Sequence, residues 1–343
     1  MPEKPAESRW LYNQPTPGIV ENWYRRNEAK IRSQWIDPKI LDGAFIMAST
    51  AEEMNGTLNF RYSQDRVVMT RTGLEVPRRD SQLYDVWQAH KRDMETRGER
   101  DGAKYSVRRS SPFLTDSELQ IEVSDFSWSG MELNNDVNIG VLPESLRDGI
   151  LPTLRSEGYV FEGEPPNNAV VQGIITTKDK KLVLTTRAVN AQYYQGTVSP
   201  SFEEQIDRDK DDDPIETYLR AVSYSPKLKR GEELRLNVRP ENIRLVSMVL
   251  EPQFNAVGFV VLGVCEEESE EIDETKFGVD RSEFNPEKPI WTLPLDEPSQ
   301  LLRDFYNPQG FRWHGIGRER VVDALASVLG YEEALDRFYK ARP

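Results

Sequence analysis

Four apolar, strand-like runs and one sharply capped helix, all lying between residues 169 and 264, constrain this chain more than any other feature. "AVVQGIITT" (169–177) and "KLVLTTRA" (181–188) are joined by the charged turn "KDK", and "NIRLVSMVLEP" (242–252) and "AVGFVVLGV" (256–264) form a second pair. Between the pairs, Asp213-Pro214-Ile215-Glu216 reads as a helix start. Asp213 caps the free amides, Pro214 suits the first helical position, and Glu216 stands three residues after the cap. Ile215, Leu219 and Val222 recur at helical spacing, so the apolar side packs inward until Pro226 stops the helix.

Upstream, Val20, Trp23, Tyr24, Ile31 and Trp35 predict a helix within 19–35, and Leu58, Phe60 and Tyr62 predict a strand. "DSQLYDVWQAHKRDMETRG" (80–98) reads as helix, with Leu83, Val86, Trp87 and His90 near one face, and "ELQIEVSDFSWSGMEL" (118–133) as strand alternation. "FEGEPPNNA" (161–169) is a turn-rich break and sets the domain boundary. The expectation is an α/β (α+β) protein in two parts: a mixed α/β domain over 1–160, and a second domain over 161–343. Two helices close the second domain, in "RERVVDALASVLG" and "YEEALDRFYKA".

Charge narrows the function. The 343 residues carry a formal net charge of −14, which argues against nucleic acid as a partner, because Lys and Arg must replace its condensed counterions. No apolar run approaches the roughly 20 residues that span a bilayer, and no secretory signal is visible, so a cytoplasmic, non-membrane protein is expected. A single cysteine, Cys265, excludes an internal disulfide, and its apolar run predicts an inert buried thiol. With only two histidines, His90 and His314, a His/Cys zinc site is not expected. No phosphate-binding glycine loop and no G-x-S-x-G elbow occurs.

The segment "SFEEQIDRDKDDDPIE" (201–216) holds eight acids and two bases. Its aspartates read as a solvated loop that ends by capping the helix at Asp213, and "EEESEEIDE" (266–274) as a second solvated run.

"VVQGIITTKDKKLVLTTRAVNAQYYQGTVSPSFEEQ" resembles the front half of a Nudix hydrolase domain, in a bacterial branch with an extended loop before the signature helix. Leu182–Arg187, Tyr193-Tyr194, Gly196 and Ser201–Gln205 carry the likeness, and residues 242–264 resemble the strands that follow that helix. The likeness covers about residues 168–264 and implies a mixed sheet between helices. It also implies a nucleotide-linked or other phosphorylated small molecule as ligand, facing Arg187, Tyr193, Tyr194 and Arg220. The family's box, G-x5-E-x7-R-E-U-x-E-E-x-G-U, holds magnesium on glutamates of one helix face. Here Arg220 matches the box arginine, but Ala221, Tyr224 and Ser225 stand where its glutamates belong and Lys227 where its glycine belongs.

Three readings follow. A Nudix-like domain binds its ligand without standard catalysis. Alternatively, a divergent pyrophosphate hydrolase rebuilds a Mg²⁺ or Mn²⁺ site from Glu203, Glu204, Glu232 and Glu233, which would then be its catalytic residues. In the third, the domain is a protein-interaction scaffold.

Overall fold

The computed structural model describes residues 39–41, 44–49, 51–54, 57–60, 67–75, 79, 83–107, 113–114, 119–138, 167–191, 194–223, 231–251, 256–285, 287, 290–306, 313–314 and 317–340. The first strands are β1 (Lys39–Leu41), β2 (Ala44–Ser49), β3 (Ala51–Met54), β4 (Thr57–Phe60) and β5 (Val67–Glu75). Helix α1 (Leu83–Thr96) precedes β6 (Ala103–Val107), β7 (Phe113–Leu114), β8 (Leu119–Ser127) and α2 (Trp128–Asn138). Then come β9 (Asn167–Thr176), β10 (Lys181–Thr186), β11 (Val198–Ser199), β12 (Phe202–Gln205) and α3 (Pro214–Val222). The chain continues through β13 (Val238–Glu251), β14 (Ala256–Cys265) and β15 (Trp291–Pro294) to α4 (Ser299–Tyr306), α5 (Gly317–Leu329) and α6 (Tyr331–Lys340).

Thirteen strands form one mixed sheet with the central order β1-β2-β13-β14-β9-β6-β8-β5, while β3 and β4 pair separately. Strands β9 and β14 run parallel, with Val171 opposite Phe259 and Ile174 opposite Leu262. Parallel central strands are covered on both faces and read as near-continuous apolar runs, which "AVGFVVLGV" is. Side chains alternate between faces along each strand. Val171, Ile175, Phe259 and Val261 join Ile215, Tyr218 and Leu219 of α3 in one core. Ile174, Val260 and Leu262 face the other way, against Leu301 of α4 and Val321, Val322 and Leu325 of α5. The sheet lies between helices.

Helix α3 starts as its sequence dictates. Asp213 Oδ1 accepts from the Ile215 and Glu216 amides at 2.7 and 2.8 Å, and Pro214 occupies the first turn. On its buried side, Tyr218 donates to the Ile174 carbonyl at 2.8 Å. A Cβ on Gly263 would lie 2.5 Å from that hydroxyl, so only glycine lets the helix settle this close to β14.

Residues 128–133 depart from the expected strand. Ser127 Oγ accepts from the Gly130 amide at 3.1 Å and Asp101 Oδ1 from the Ser129 amide at 2.9 Å. These side chains satisfy the first turn's free amides and turn the alternation into α2. Trp87 Nε1 donates to Ser129 Oγ at 2.7 Å and ties α1 to the start of α2. Helix α4 and strands β12 and β15 carried no sequence expectation. The predicted helix within 19–35 and the boundary near 160 fall outside the described residues. Strands from both sides of that boundary share the sheet, since β6 pairs with β9 and β2 with β13. Cys265 is buried, and burial pushes its thiol up to about 12, the inert state expected of it. Among the described residues no helix is long and apolar enough to cross a membrane.

One buried acid gives this core a pH signature. Burial raises Asp323 of α5 to about 7, opposed in part by Ser247 Oγ, which lies 2.7 Å from its carboxyl. Its folded value therefore stands above the ordinary 3.8. The stability it contributes is complete below pH about 4 and is lost as the pH rises through about 7. Urea unfolding from pH 4 to 8 should show the wild type falling relative to Asp323→Asn, and parallel curves would refute this titration.

Candidate functional site

Arg220 is the first group the fold has to answer for. It follows Leu219 and precedes Val222 on the buried side of α3, and it is 7% exposed. An unpaired buried guanidinium costs several kcal/mol. Asp211 supplies the main partner: Arg220 Nε donates to its Oδ1 at 2.9 Å and Nη2 to its Oδ2 at 2.8 Å. Nη2 also reaches Glu204 Oε1 at 3.3 Å and the Gln205 carbonyl at 3.1 Å, while Nη1 pairs with Glu232. Burial alone would lower the guanidinium, but Asp211, Glu204 and Glu232 hold it above its ordinary value. The aspartate run is thus not wholly solvated. Asp209 and Asp212 are exposed, whereas Asp211 is 3% exposed and locked.

The two glutamates of β12 diverge. Glu203 Oε2 lies 2.8 Å from His314 Nε2 and 3.8 Å from Arg187, and its Oε1 lies 3.8 Å from Arg320. Burial would raise Glu203, yet His314, Arg320 and Arg187 hold it well below the usual carboxylate range. Burial pushes His314 down to about 4 despite Glu203, so the ring is neutral at pH 7, and it packs on Tyr194 with centroids 3.7 Å apart. His314 is therefore an internal group. Glu204 behaves oppositely. Burial, with Glu232 and Glu283 nearby, pushes it up to about 7 against the pull of Arg220 and Lys104. Arg220 falls short because three carboxylates share it.

Above β12 lies a cavity of about 170 Å³. Strand β6 contributes Lys104, α2 contributes Trp128, β9 contributes Asn168 and Gln172, and Arg187 and Tyr194 close the opposite side. Burial lowers Lys104, with Glu204 and Asp207 pulling it back. Asn168 and Gln172 are 4% and 2% exposed, and the side-chain oxygen of each has no hydrogen-bond partner. Buried polar atoms are almost always satisfied, so two such oxygens on one cavity wall mark a place built for donors.

Glu283 links the cavity to a second acidic group. It lines the cavity and accepts from Arg187 Nη2 at 3.2 Å. One oxygen each of Glu233, Asp280 and Glu283 lie within 4.8 Å of one another. At an effective dielectric of ~20, each such pair repels by roughly 3–4 kcal/mol. Accordingly, burial together with Glu283, Glu204 and Asp280 raises Glu233 well above its ordinary value, with Arg187 opposing. The loops holding these acids are zipped by the backbone. Gly278, Val279 and Asp280 amides donate to Glu233, Gly231 and Glu232 carbonyls at 2.7, 3.1 and 2.8 Å. A Cβ at Gly278 would meet two of those carbonyl oxygens at 2.3 Å.

The four glutamates proposed from sequence as one metal site are not one free ligand set: His314 and two arginines engage Glu203, and Arg220 engages Glu204 and Glu232. Only Glu233 carries no such partner, and it joins Asp280 and Glu283 instead. Arg187 and Tyr194 do line the cavity, Arg220 lies beneath it, and Tyr193, Tyr224, Ser225 and Lys227 fall outside the described residues. Sequence reading missed Asp211, although a lone arginine on an apolar helix face asks for a buried acid. It missed Gln172 as well, although a polar residue inside "AVVQGIITT" was the available signal. Lys104, Asp280 and Glu283 carried none.

No family model and no curated protein matches the chain. Among solved structures the chain is similar to Tm1382, described as a candidate Nudix hydrolase, at 14% identity and a TM-score of 0.26. The match covers 40% of this chain and 62% of that one.

Removing the central cation should be costly. Arg220→Ala strands Asp211, Glu204 and Glu232 together, and breaking a buried pair in this way typically costs about 3–5 kcal/mol. Urea unfolding should show a loss of that size, with Arg220→Lys recovering only part because an ammonium lacks the planar fork. A loss below about 1 kcal/mol in Arg220→Ala would show that the network is not structural.

Proposed function

We propose that this protein binds a nucleotide-linked or other phosphorylated small molecule in the cavity over β12, in a cytoplasmic setting, without standard Nudix catalysis. The observation that carries the reading is the pair of unpartnered, buried side-chain oxygens of Asn168 and Gln172, two residues that line the same cavity as Lys104 and Arg187. The amides accept from donors on a planar head group, Trp128 and Tyr194 offer ring faces, and the two cations suit anionic oxygens. Size adds a limit. About 170 Å³ is well below the ~300–1,000 Å³ that encloses drug-sized ligands, so one head group enters and the remainder lies at the mouth.

Standard catalysis is disfavoured by the residues themselves. Ala221 is buried on α3 at the position of the box's first glutamate, and Arg220 occupies Glu204 and Glu232. The residues named for a magnesium site from sequence do not fit the ion as a group, because Arg220, His314, Arg187 and Arg320 already engage three of them.

A second reading, a divergent pyrophosphate hydrolase, draws on Glu204. A carboxyl raised to about 7 in a cavity wall is suited to accept a proton from water near neutral pH.

A thermal-shift panel of nucleotides, nucleoside diphosphate sugars and sugar phosphates, run beside chromatographic detection of diphosphate cleavage products, tests both. Binding predicts a raised melting temperature for at least one class, lost in Gln172→Leu, with no turnover. Cleavage of a diphosphate into two monophosphates, abolished by Glu204→Gln, would instead establish the hydrolase. Silence in both assays would overturn both readings and leave a protein-interaction scaffold.

A further inference from the structure

The trio beside the cavity points to a function of its own. Glu233 follows the Arg220-bound Glu232 in the loop after α3, Asp280 lies in the segment zipped to that loop, and Glu283 sits where the chain meets the end of β10. The last position is fixed by the backbone: the Ala188 amide donates to the Glu283 carbonyl at 2.8 Å and the Asn285 amide to the Thr186 carbonyl at 2.8 Å. Two chain segments thus meet here, the loop after α3 bringing Glu233 and the turn over 280–283 bringing Asp280 and Glu283, with one carboxylate oxygen of each within a 4.8 Å spread.

An acidic cluster alone would be unremarked, since exposed carboxylates often gather without a ligand. Glu233 makes this one different. It is 3% exposed, and among the described residues its carboxylate accepts no hydrogen bond and forms no ion pair, Arg187 acting on it only from a greater distance. The other carboxylates beneath the cavity have ion-pair partners: Asp211 has Arg220, Glu203 has His314 with Arg187 and Arg320, and Glu204 shares Arg220. The cations nearby are already committed. Arg187 is shared between Glu203 and Glu283, and Arg220 among Asp211, Glu204 and Glu232. Asp280 receives only the Ser282 hydroxyl, at 2.9 Å.

We propose that Glu233, Asp280 and Glu283 form a binding site for one hard divalent cation of the Mg²⁺, Mn²⁺ or Ca²⁺ class. All three donors are oxygens, which selects such ions over soft metals. Two oxygens on one ion at ~2.0–2.6 Å stand at most about 4–5 Å apart, so the observed spread needs little rearrangement. The ion replaces the missing counter-charge: three carboxylates face one shared guanidinium. It leaves coordination positions on the cavity side, where Glu283 also forms part of the wall. An anionic ligand group there would meet Arg187 and a metal together. The cation site stands whether or not the ligand reading of the cavity holds, because it rests on different residues and is tested with the ion alone.

The experiment uses the full chain stripped with a chelator and titrated with Mn²⁺, following the free-ion signal by electron paramagnetic resonance, with Mg²⁺ and Ca²⁺ as competitors. One ion per chain is expected, displaced by both competitors. Asp280→Asn, an exposed change that leaves the zipped backbone intact, should weaken binding at least tenfold, and Glu233→Gln should abolish it. The control Asp273→Asn, an exposed acid in a neighbouring turn, should bind as wild type. Circular dichroism and melting curves identify any variant that fails to fold, and Asp280→Asn carries the test if Glu233→Gln does. Absence of stoichiometric binding in the wild type at millimolar Mn²⁺ would overturn the site. Undiminished binding in a folded Asp280→Asn would overturn it as well.

Discussion

A guanidinium taken out of water must find its counter-charges inside the protein, and in this chain that requirement organises the region around α3. Arg220 cannot lose its charge, so the backbone arranges itself to bring carboxylates to it. Asp211 comes from the loop before the helix, Glu204 from β12 and Glu232 from the loop after it. Three stretches of chain, 16 residues before it to 12 after it, are pinned to one side chain, and the cavity floor and the acidic trio are both laid out from that point.

The same arithmetic explains why neighbouring acids have opposite characters. Glu203 is surrounded by His314, Arg187 and Arg320 and stays ionised, whereas Glu204 competes with two other carboxylates for Arg220 and is pushed towards neutrality. They are adjacent in sequence, but successive side chains of a strand leave on opposite faces. Burial is similar for both; what differs is that His314 lies 2.8 Å from Glu203, whereas Glu232 and Glu283 crowd Glu204. Glu233 completes the series, with burial and no committed cation.

The elements that were legible in the sequence are those fixed by local chemistry. The cap at Asp213, the apolar alternation of β9 and β10 and the uninterrupted run of β14 each state their structure within a dozen residues. Of the residues named from sequence, Arg187 and Tyr194 line the cavity, and Arg220 pairs with Glu204 of its wall. What stayed hidden was relational. Nothing local distinguishes Asp211 from Asp209 or Asp212, because its burial is decided by an arginine nine residues later. Residues 128–133 read as a strand because their alternation continued from β8, and the break came from Asp101, a partner 28 residues upstream. Lys104, Asp280 and Glu283 sit in charge-rich stretches whose members differ only by what folds against them.

The parallel pairing of β9 with β14 also sets an order of events. Asn168 stands opposite Ala256, so nearly ninety residues must be placed before this seam can close. Until then β9 has only its antiparallel neighbours, β6, β10 and β12, to pair with. Contacts of such long sequence separation pay their loop-closure entropy before they are rewarded, which slows folding. On a ribosome the wall bearing Asn168 and Gln172 emerges well before the strand that backs it. The cavity is a late product of synthesis, and the apolar edge of β9 stays open until β14 arrives.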